Sequence, residues 1–421
     1  MPKSHIVTGL DIGTSAIKAL TVLKKKGSQD LEVLSKVLKP NSGMRRGVIV
    51  KPEEVSRNIA SVLDQIRTES GQKIDGVYVN IGGSHIFLTS SRGSVVVSRA
   101  DQSISREDIE RAIQAAKTFS LPPNREIIDF FPKQFIIDKE PGIKEPLGMR
   151  GVRLEVEILA MGAFSPYFKN LTTAVLSAGT QILDIICSSI SSAKACLTPQ
   201  QKELGVVLLD IGAGTTDLAI YEEGALIHLA VIPIGSGHIT NDIAIGIRTD
   251  MATAERIKKE FVHYLKGNIL KTKKKEKIGS SLNPLTFSPK LLRKIIEARV
   301  CEIFDLVQKE IKKVSSVLLP AGIVITGGGA KLPNIVELAK KELKLPCRIG
   351  TPIFHQILAG KEDSGFSPEP AEEGEDPVFS TAWGLVLSAI EQIEQEPEKG
   401  FPDFRKRVIN RIKRTLGVFI P

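Results

Sequence analysis

Aromatic residues are scarce in this sequence, at 5% of 421 residues with one Trp and four Tyr. No basic-aromatic interleaving occurs, so base-stacking nucleic-acid binding is not expected. Cysteine is also rare. Cys187, Cys196, Cys301 and Cys347 share no metal-ligand or redox spacing. That excludes a zinc site or disulfide framework and points to a reduced, cytosolic compartment. No run of about 18 apolar residues is present, so no bilayer-spanning helix is expected. Met1-Pro2-Lys3-Ser4-His5 leads straight into strand character, so no signal peptide is expected. There is no Gly-x-x-x-x-Gly-Lys-Ser/Thr, and no Gly-x-Gly-x-x-Gly follows a first strand. P-loop and Rossmann readings therefore fail. What remains is ordinary: 42% hydrophobic and 25% charged residues, in a chain long enough for two or three domains.

The net charge is +9, with much of the excess in 271–277 and the last twenty or so residues. Such a balance suits anionic lipid or acidic protein segments. Apolar periodicity predicts helices over 52–69, 103–119, 167–178, 252–265, 289–317, 334–343 and 380–393. Ser105, followed three residues later by Asp108, is close to a capping box. Strands are expected over 6–23 around a glycine turn, then at 77–81, 205–210, 218–221 and 322–326, and interrupted by prolines within 130–160. The run 271–277 reads as a basic loop. The stretch 362–377 is acidic, rich in Pro, Gly and Ser, and reads as a surface loop.

One internal echo outweighs any single element. Leu10-Asp11-Ile12-Gly13-Thr14-Ser15 resembles Leu209-Asp210-Ile211-Gly212-Ala213-Gly214-Thr215-Thr216. Each follows an apolar strand start and leads into a second strand, which predicts two similar α/β halves facing each other. Such a loop suits a nucleotide. Glycine allows a tight turn with N–H groups aimed inward. Thr14 and Ser15 can donate to phosphate oxygens, Asp11 and Asp210 can hold a hydrated Mg²⁺, and Lys18 can reach a phosphate. A lone Asp-x-Gly turn is a common hairpin; two in corresponding places make a clamp. A third element, Ile325-Thr326-Gly327-Gly328-Gly329, ends a buried strand in three glycines against which a flat adenine can lie.

These elements, in this order, resemble the actin, Hsp70 and sugar-kinase superfamily. The resemblance implies an α/β, actin-like, two-lobed ATPase fold of the duplicated ribonuclease H-like type. It also assigns Asp11, Gly13, Thr14, Ser15 and Lys18 to the first phosphate motif. Asp210, Gly212, Gly214, Thr215 and Thr216 fall to the second, and Gly327, Gly328 and Gly329 to the adenosine motif. Glu255 and Lys258 match the family's adenosine-contacting helix. Further motifs resemble the FtsA family of bacterial actin homologues: Met44-Arg45-Arg46-Gly47-Val48-Ile49, Gly142-Ile143-Lys144-Glu145-Pro146-Leu147-Gly148-Met149, and Ser380-Thr381-Ala382-Trp383-Gly384. That resemblance implies lobe one at 1–81 and 163–204, an inserted α+β subdomain at 82–162, and lobe two at 205–234 and 318–393. It places a nucleotide-side subdomain at 235–317, with Lys294 and Arg299 as candidate contacts for the C-terminal peptide of FtsZ, the tubulin-like division protein. Self-association into filaments, later division proteins as partners, and the cytoplasmic face of the inner membrane at the division site are also implied. One departure stands out. Where such ATPases carry Gln or Glu to position water, this chain has Ser188, so ATP is expected to bind well and turn over slowly.

The tail needs no family. After a polar linker at 394–400, residues 401–421 place Phe404, Val408, Ile412, Leu416 and Phe419 on one helical arc, with Arg407, Arg411 and Arg414 opposite. A cationic face against an apolar one marks an in-plane membrane helix, and anionic lipid is the expected partner. Two alternatives stand beside this reading. A small-molecule kinase of the superfamily requires a carboxylate base that cannot be placed here, and a pilus-assembly actin homologue lacks the inserted subdomain and tail.

Overall fold

The computed structural model describes residues 5–25, 31–266, 276–278, 285–314, 318–353 and 375–395. The tail with its candidate membrane residues, the acidic stretch up to residue 374, and most of the basic run lie outside the described residues.

In chain order the elements begin with β1 (His5–Ile12), β2 (Ala16–Lys24), β3 (Leu31–Pro40), the short pair β4 (Met44–Arg45) and β5 (Val48–Ile49), α1 (Pro52–Ser70) and β6 (Gly76–Ile81). Next come β7 (Phe87–Val96), α2 (Arg106–Ala116), β8 (Arg125–Ile137), β9 (Glu140–Ile143) and β10 (Arg153–Phe164). The chain continues through α3 (Ser165–Ser177), β11 (Gln181–Cys187), α4 (Ser188–Cys196) and α5 (Pro199–Leu204). The second half holds β12 (Val206–Ile211), β13 (Thr216–Glu222), β14 (Ala225–Ile232), α6 (Ser236–Ile247), α7 (Met251–Lys266), β15 (Glu276–Ile278), β16 (Leu285–Phe287) and α8 (Pro289–Lys312). It closes with β17 (Ile323–Thr326), α9 (Ile335–Leu343), β18 (Cys347–Ile349) and α10 (Ser380–Gln395). Part of the run expected as a basic loop is strand: β15 pairs antiparallel with β16.

Two five-stranded sheets repeat one topology. The first runs β3-β2-β1-β6-β11 and the second β14-β13-β12-β17-β18. In each, three antiparallel strands are followed by two parallel ones. The duplication suspected from the loops is thus a duplication of whole sheets.

β12 shows how the second sheet is held. Val206, Val207, Leu208, Leu209 and Ile211 are all buried, as expected of a strand covered on both faces. Val207, Leu209 and Ile211 join the core beneath α6 and α8, whereas Val206 and Leu208 join the core shared with the first half. α8 presents Leu292, Ile296, Val300, Ile303, Phe304 and Val307 to the former at helical spacing. A third sheet, β7-β10-β8-β9, has its own small core against α2, including Ile109, Ile113, Leu154 and Val156. It is inserted between β6 and α3.

Candidate active site: two facing aspartate loops

The β1–β2 and β12–β13 turns are closed alike. The Gly13 N–H donates to the Ala16 carbonyl at 3.1 Å, and the Gly212 N–H donates to the Thr215 carbonyl at 2.9 Å. The two turns also touch. A methyl group on Gly214 would lie 2.5 Å from Thr14 Oγ1, so only glycine lets the loops meet this closely. Thr14 Oγ1 in turn accepts from the Gly47 N–H at 3.1 Å.

Asp11 is 4% exposed. Lys18 Nζ donates to its Oδ2 at 2.6 Å, and Asn80 Nδ2 donates to its Oδ1 at 2.8 Å. The Asn80 Oδ1 accepts from the Ile12 N–H at 2.7 Å, which locks the amide in place. Burial works against charge on Lys18, but Asp11 and Asp210 outweigh it and hold the ammonium pKa above its ordinary value. The half-buried Lys18 ammonium is thus paired with Asp11 and lies in the field of Asp210.

Asp210 accepts from Ser192 Oγ at 2.5 Å and from Thr381 Oγ1 at 3.2 Å, both on its Oδ2. Burial raises its pKa, in part offset by the Ser192 hydrogen bond. The adenosine motif abuts it: a side chain on Gly327, where φ is +80°, would meet Asp210 Oδ1 at 2.1 Å. Gly329 packs on Ile211, whereas Gly328 faces open space. The motif therefore offers one bare backbone face next to the carboxylate.

α6 starts on the second loop. The Ser236 and Gly237 N–H groups donate to the carbonyls of Gly212 and Ala213, each at 2.8 Å. Lys258 on α7 is 8% exposed. It donates to Thr240 Oγ1 at 2.8 Å and to the Ser236 carbonyl at 3.2 Å, and it pairs with Glu255 at 2.7 Å. Glu255 and Lys258 thus stand behind the first turn of α6.

Lys294 is exposed on α8. Arg299 is not free: it makes a bidentate pair with Asp242, at 2.7 and 2.9 Å, and also meets Glu302. The Asp242 hydrogen bond holds its pKa above the ordinary value. Ser188 is already engaged, accepting from Asn80 Nδ2 at 3.1 Å and donating to the Ile81 carbonyl at 3.2 Å.

Sequence reasoning missed Asn80, Ser192, Thr381 and Asp217. Asn80 and Ser192 are single polar residues outside the motifs, with no spacing to mark them, and Thr381 lies inside the Ser380–Gly384 motif without any sign there that it serves Asp210. Asp217 had a signal: it stands as far after Asp210 as Lys18 stands after Asp11. In register, Asp11 pairs with Lys18 and Asp210 with Asp217. Burial, then Asp210 and Asp11, raise the pKa of Asp217 well above the carboxylate range. Among the described residues, no group of three or more His, Cys, Asp or Glu is arranged to hold a metal. Mg²⁺ at this site would therefore be held chiefly through water and phosphate.

Duplicated sheets with facing glycine-aspartate loops define an actin-like fold. Solved structures agree. The PilM–PilN type IV pilus biogenesis complex matches with a TM-score of 0.62 at 17% identity, covering 91% of this chain and 98% of that one. MreB5 of Spiroplasma citri bound to ADP matches at 0.53 and 15%, covering 94% and 99%. Such distant likeness speaks for the fold alone. Sequence speaks for more. Residues 207–384 match the family described as cell division protein FtsA, and 83–161 match the SHS2 domain inserted in FtsA. Cell division protein FtsA of Pseudomonas aeruginosa is 35% identical over 92% of this chain and 90% of its own length. The chain belongs to the FtsA family of cell-division proteins.

Proposed function

We propose that this protein binds ATP with Mg²⁺ between its two halves and tethers FtsZ filaments to the cytoplasmic membrane. The facing loops carry the reading: two glycine turns in contact, with a half-buried Lys18 paired to Asp11 in the field of Asp210. In that reading the N–H groups of 14–15 and 213–215 face the phosphates and Lys18 neutralises them. The adenine lies on Gly328, with Glu255 and Lys258 beyond α6. Asp11 and Asp210 hold the hydrated ion, which supplies charge neutralisation along the phosphate chain. Turnover is slow, because the Ser188 hydroxyl is occupied by Asn80 and Ile81.

The tether has two further parts. Lys294 and the neighbouring α6–α8 face receive the acidic C-terminal peptide of FtsZ. The tail, through Phe404, Val408, Ile412, Leu416 and Phe419 with Arg407, Arg411 and Arg414, lies on anionic lipid. Copies associate into filaments, which multiplies a weak single-tail affinity. Later division proteins join this assembly.

The deciding experiment for the nucleotide site is Asp210→Ala, with ATP titrated in Mg²⁺ buffer. Affinity should fall at least tenfold, about 1.4 kcal/mol. Unchanged affinity would place the nucleotide elsewhere.

A further inference from the structure

The inserted subdomain is rooted by two crossings, β6 to β7 and β10 to α3. His85 lies on the first, and Tyr167, in the first turn of α3, lies on the second. Their rings meet edge to face at 5.1 Å, and Phe164 meets Tyr167 in the same way at 5.4 Å. Both His85 nitrogens are shut off from solvent, with no hydrogen-bond partner among the described residues. Burial pushes the ring's pKa down to about 4. At pH 7 it is therefore neutral, with one nitrogen to donate and one to accept. A buried imidazole that makes neither bond is costly, so something in the site must answer it.

His85 lines a small pocket together with Gly47, Asn80 and Tyr167. The pocket offers about 20 Å³ to the centre of a water molecule, enough for one. A methyl group on Gly83 would lie 3.0 Å from His85 Nδ1 and 3.2 Å from the Gly47 carbonyl oxygen. Those two atoms therefore stand within reach of one water, and only glycine keeps the gap open. Gly47 in turn bears on both phosphate loops. Its N–H donates to Thr14 Oγ1 at 3.1 Å, and a methyl group on it would lie 3.1 Å from Thr215 Cγ2.

We propose that His85 is a positioning residue for the nucleotide site. One water, bound between its ring and the Gly47 carbonyl, holds the β4–β5 turn against Thr14 and Thr215. The proposal rests on the ATP reading above. It adds the route by which the root of the inserted subdomain bears on the phosphate loops. The water donates to Gly47 and makes its second bond with Nδ1, as donor or acceptor according to the tautomer. The Tyr167 edge fixes the plane of the imidazole, so the nitrogen keeps its aim.

His85→Phe and His85→Asn, each in the full chain, separate positioning from packing. Both variants and the wild type are titrated with ATP in Mg²⁺ buffer and melted without nucleotide. Phe keeps a ring against Tyr167 but has no nitrogen. It should lower ATP affinity at least fivefold and leave the melting temperature within about 2 °C, because the packing survives. Asn places an amide near Nδ1 but gives up the ring. It should bind ATP within twofold of wild type while melting lower than the Phe variant. Affinity and stability would then rank the two variants in opposite orders, which a packing role does not produce. Asn binding no better than Phe would overturn the proposal, as would full affinity in the Phe variant, and either result leaves the ATP reading standing. A wild type that binds no ATP removes both. His85→Leu, with a smaller side chain, repeats the nitrogen-free arm should Phe disturb folding.

Discussion

Single residues divide here into those that announce themselves and those that do not. The loop glycines and aspartates were legible because a tight turn beside a phosphate leaves few alternatives, and because the pattern occurs twice. Asn80 was not, although it holds both Asp11 and the Ile12 amide; one asparagine ending a strand has no pattern. Arg299 shows the opposite hazard. Sequence presents it as a cation open to an acidic peptide, but the fold commits it to Asp242. Reversing its charge would break that pair and expose Asp242, so loss of peptide binding after Arg299→Glu could come from a displaced α6. Lys294 is the cleaner probe, being exposed on the same helix. Lys294→Glu should weaken binding of an acidic FtsZ peptide at least threefold, or roughly 0.7 kcal/mol. The loss should shrink as salt rises, with ATP affinity unchanged. Peptide binding at full strength would remove Lys294 from the contact.

Whole elements were legible where one physical signal dominated. α1 and α8 carry apolar residues at helical spacing, and both form. α4, Ser-Ser-Ile-Ser-Ser-Ala-Lys-Ala-Cys, carries almost no such signal. It is a helix because α10 and the β12 sheet pack on it, so tertiary context overrides its serines. β3 was missed for a related reason: it is an edge strand with Val33 and Leu38 exposed, and it lacks clean alternation. α2 is the case where local chemistry suffices. Ser105 Oγ accepts from the Asp108 N–H, and the Asp108 Oδ2 accepts from the Ser105 N–H at 2.9 Å, completing the box. Burial works against the Asp108 charge, but hydrogen bonds from Ser105, Arg111 and Ser98 outweigh it and hold the carboxyl far below its usual range. A depressed carboxylate stabilises the fold above its unfolded pKa of about 4, and that contribution is lost as pH falls below it. Asp108→Asn should therefore destabilise the inserted domain by on the order of 2 kcal/mol at pH 7. Towards pH 3 the difference from wild type should narrow, as read by thermal melts across that range. A gap that stays constant with pH would mean that the charge contributes nothing.

For the molecule as a whole, duplication is the organising fact. Two copies of one sheet topology meet through equivalent loops. The proposed tether requires the body to be attached to the membrane, and among the described residues no helix is long and apolar enough to cross one. The attachment is read instead from residues 401–421, whose apolar and cationic faces separate at helical spacing. Magnitudes favour reversible anchoring. Each cation near anionic lipid contributes roughly 1 kcal/mol, and partial burial of the apolar side chains adds several more. Ordering the helix costs about 1–2 kcal/mol per residue, offset in part by its own hydrogen bonds. An 18-residue helix spans about 27 Å, enough to lie flat with Phe404, Val408, Ile412, Leu416 and Phe419 in the acyl boundary. Truncation after Gly400 should abolish cosedimentation with anionic vesicles and leave the melting temperature within about 1 °C, because a membrane helix contributes nothing to the body's core. Phe404→Glu combined with Ile412→Glu should act alike, each placing a charge in hydrocarbon. Raising salt should weaken vesicle binding without abolishing it, since screening reaches the cations and not the apolar face. A tail docked on the body predicts the reverse: truncation would uncover an apolar groove, lower the melting temperature by several degrees and promote aggregation. Should the truncated body still sediment with vesicles as fully as the intact chain, the anchor lies elsewhere and the tether loses its membrane end.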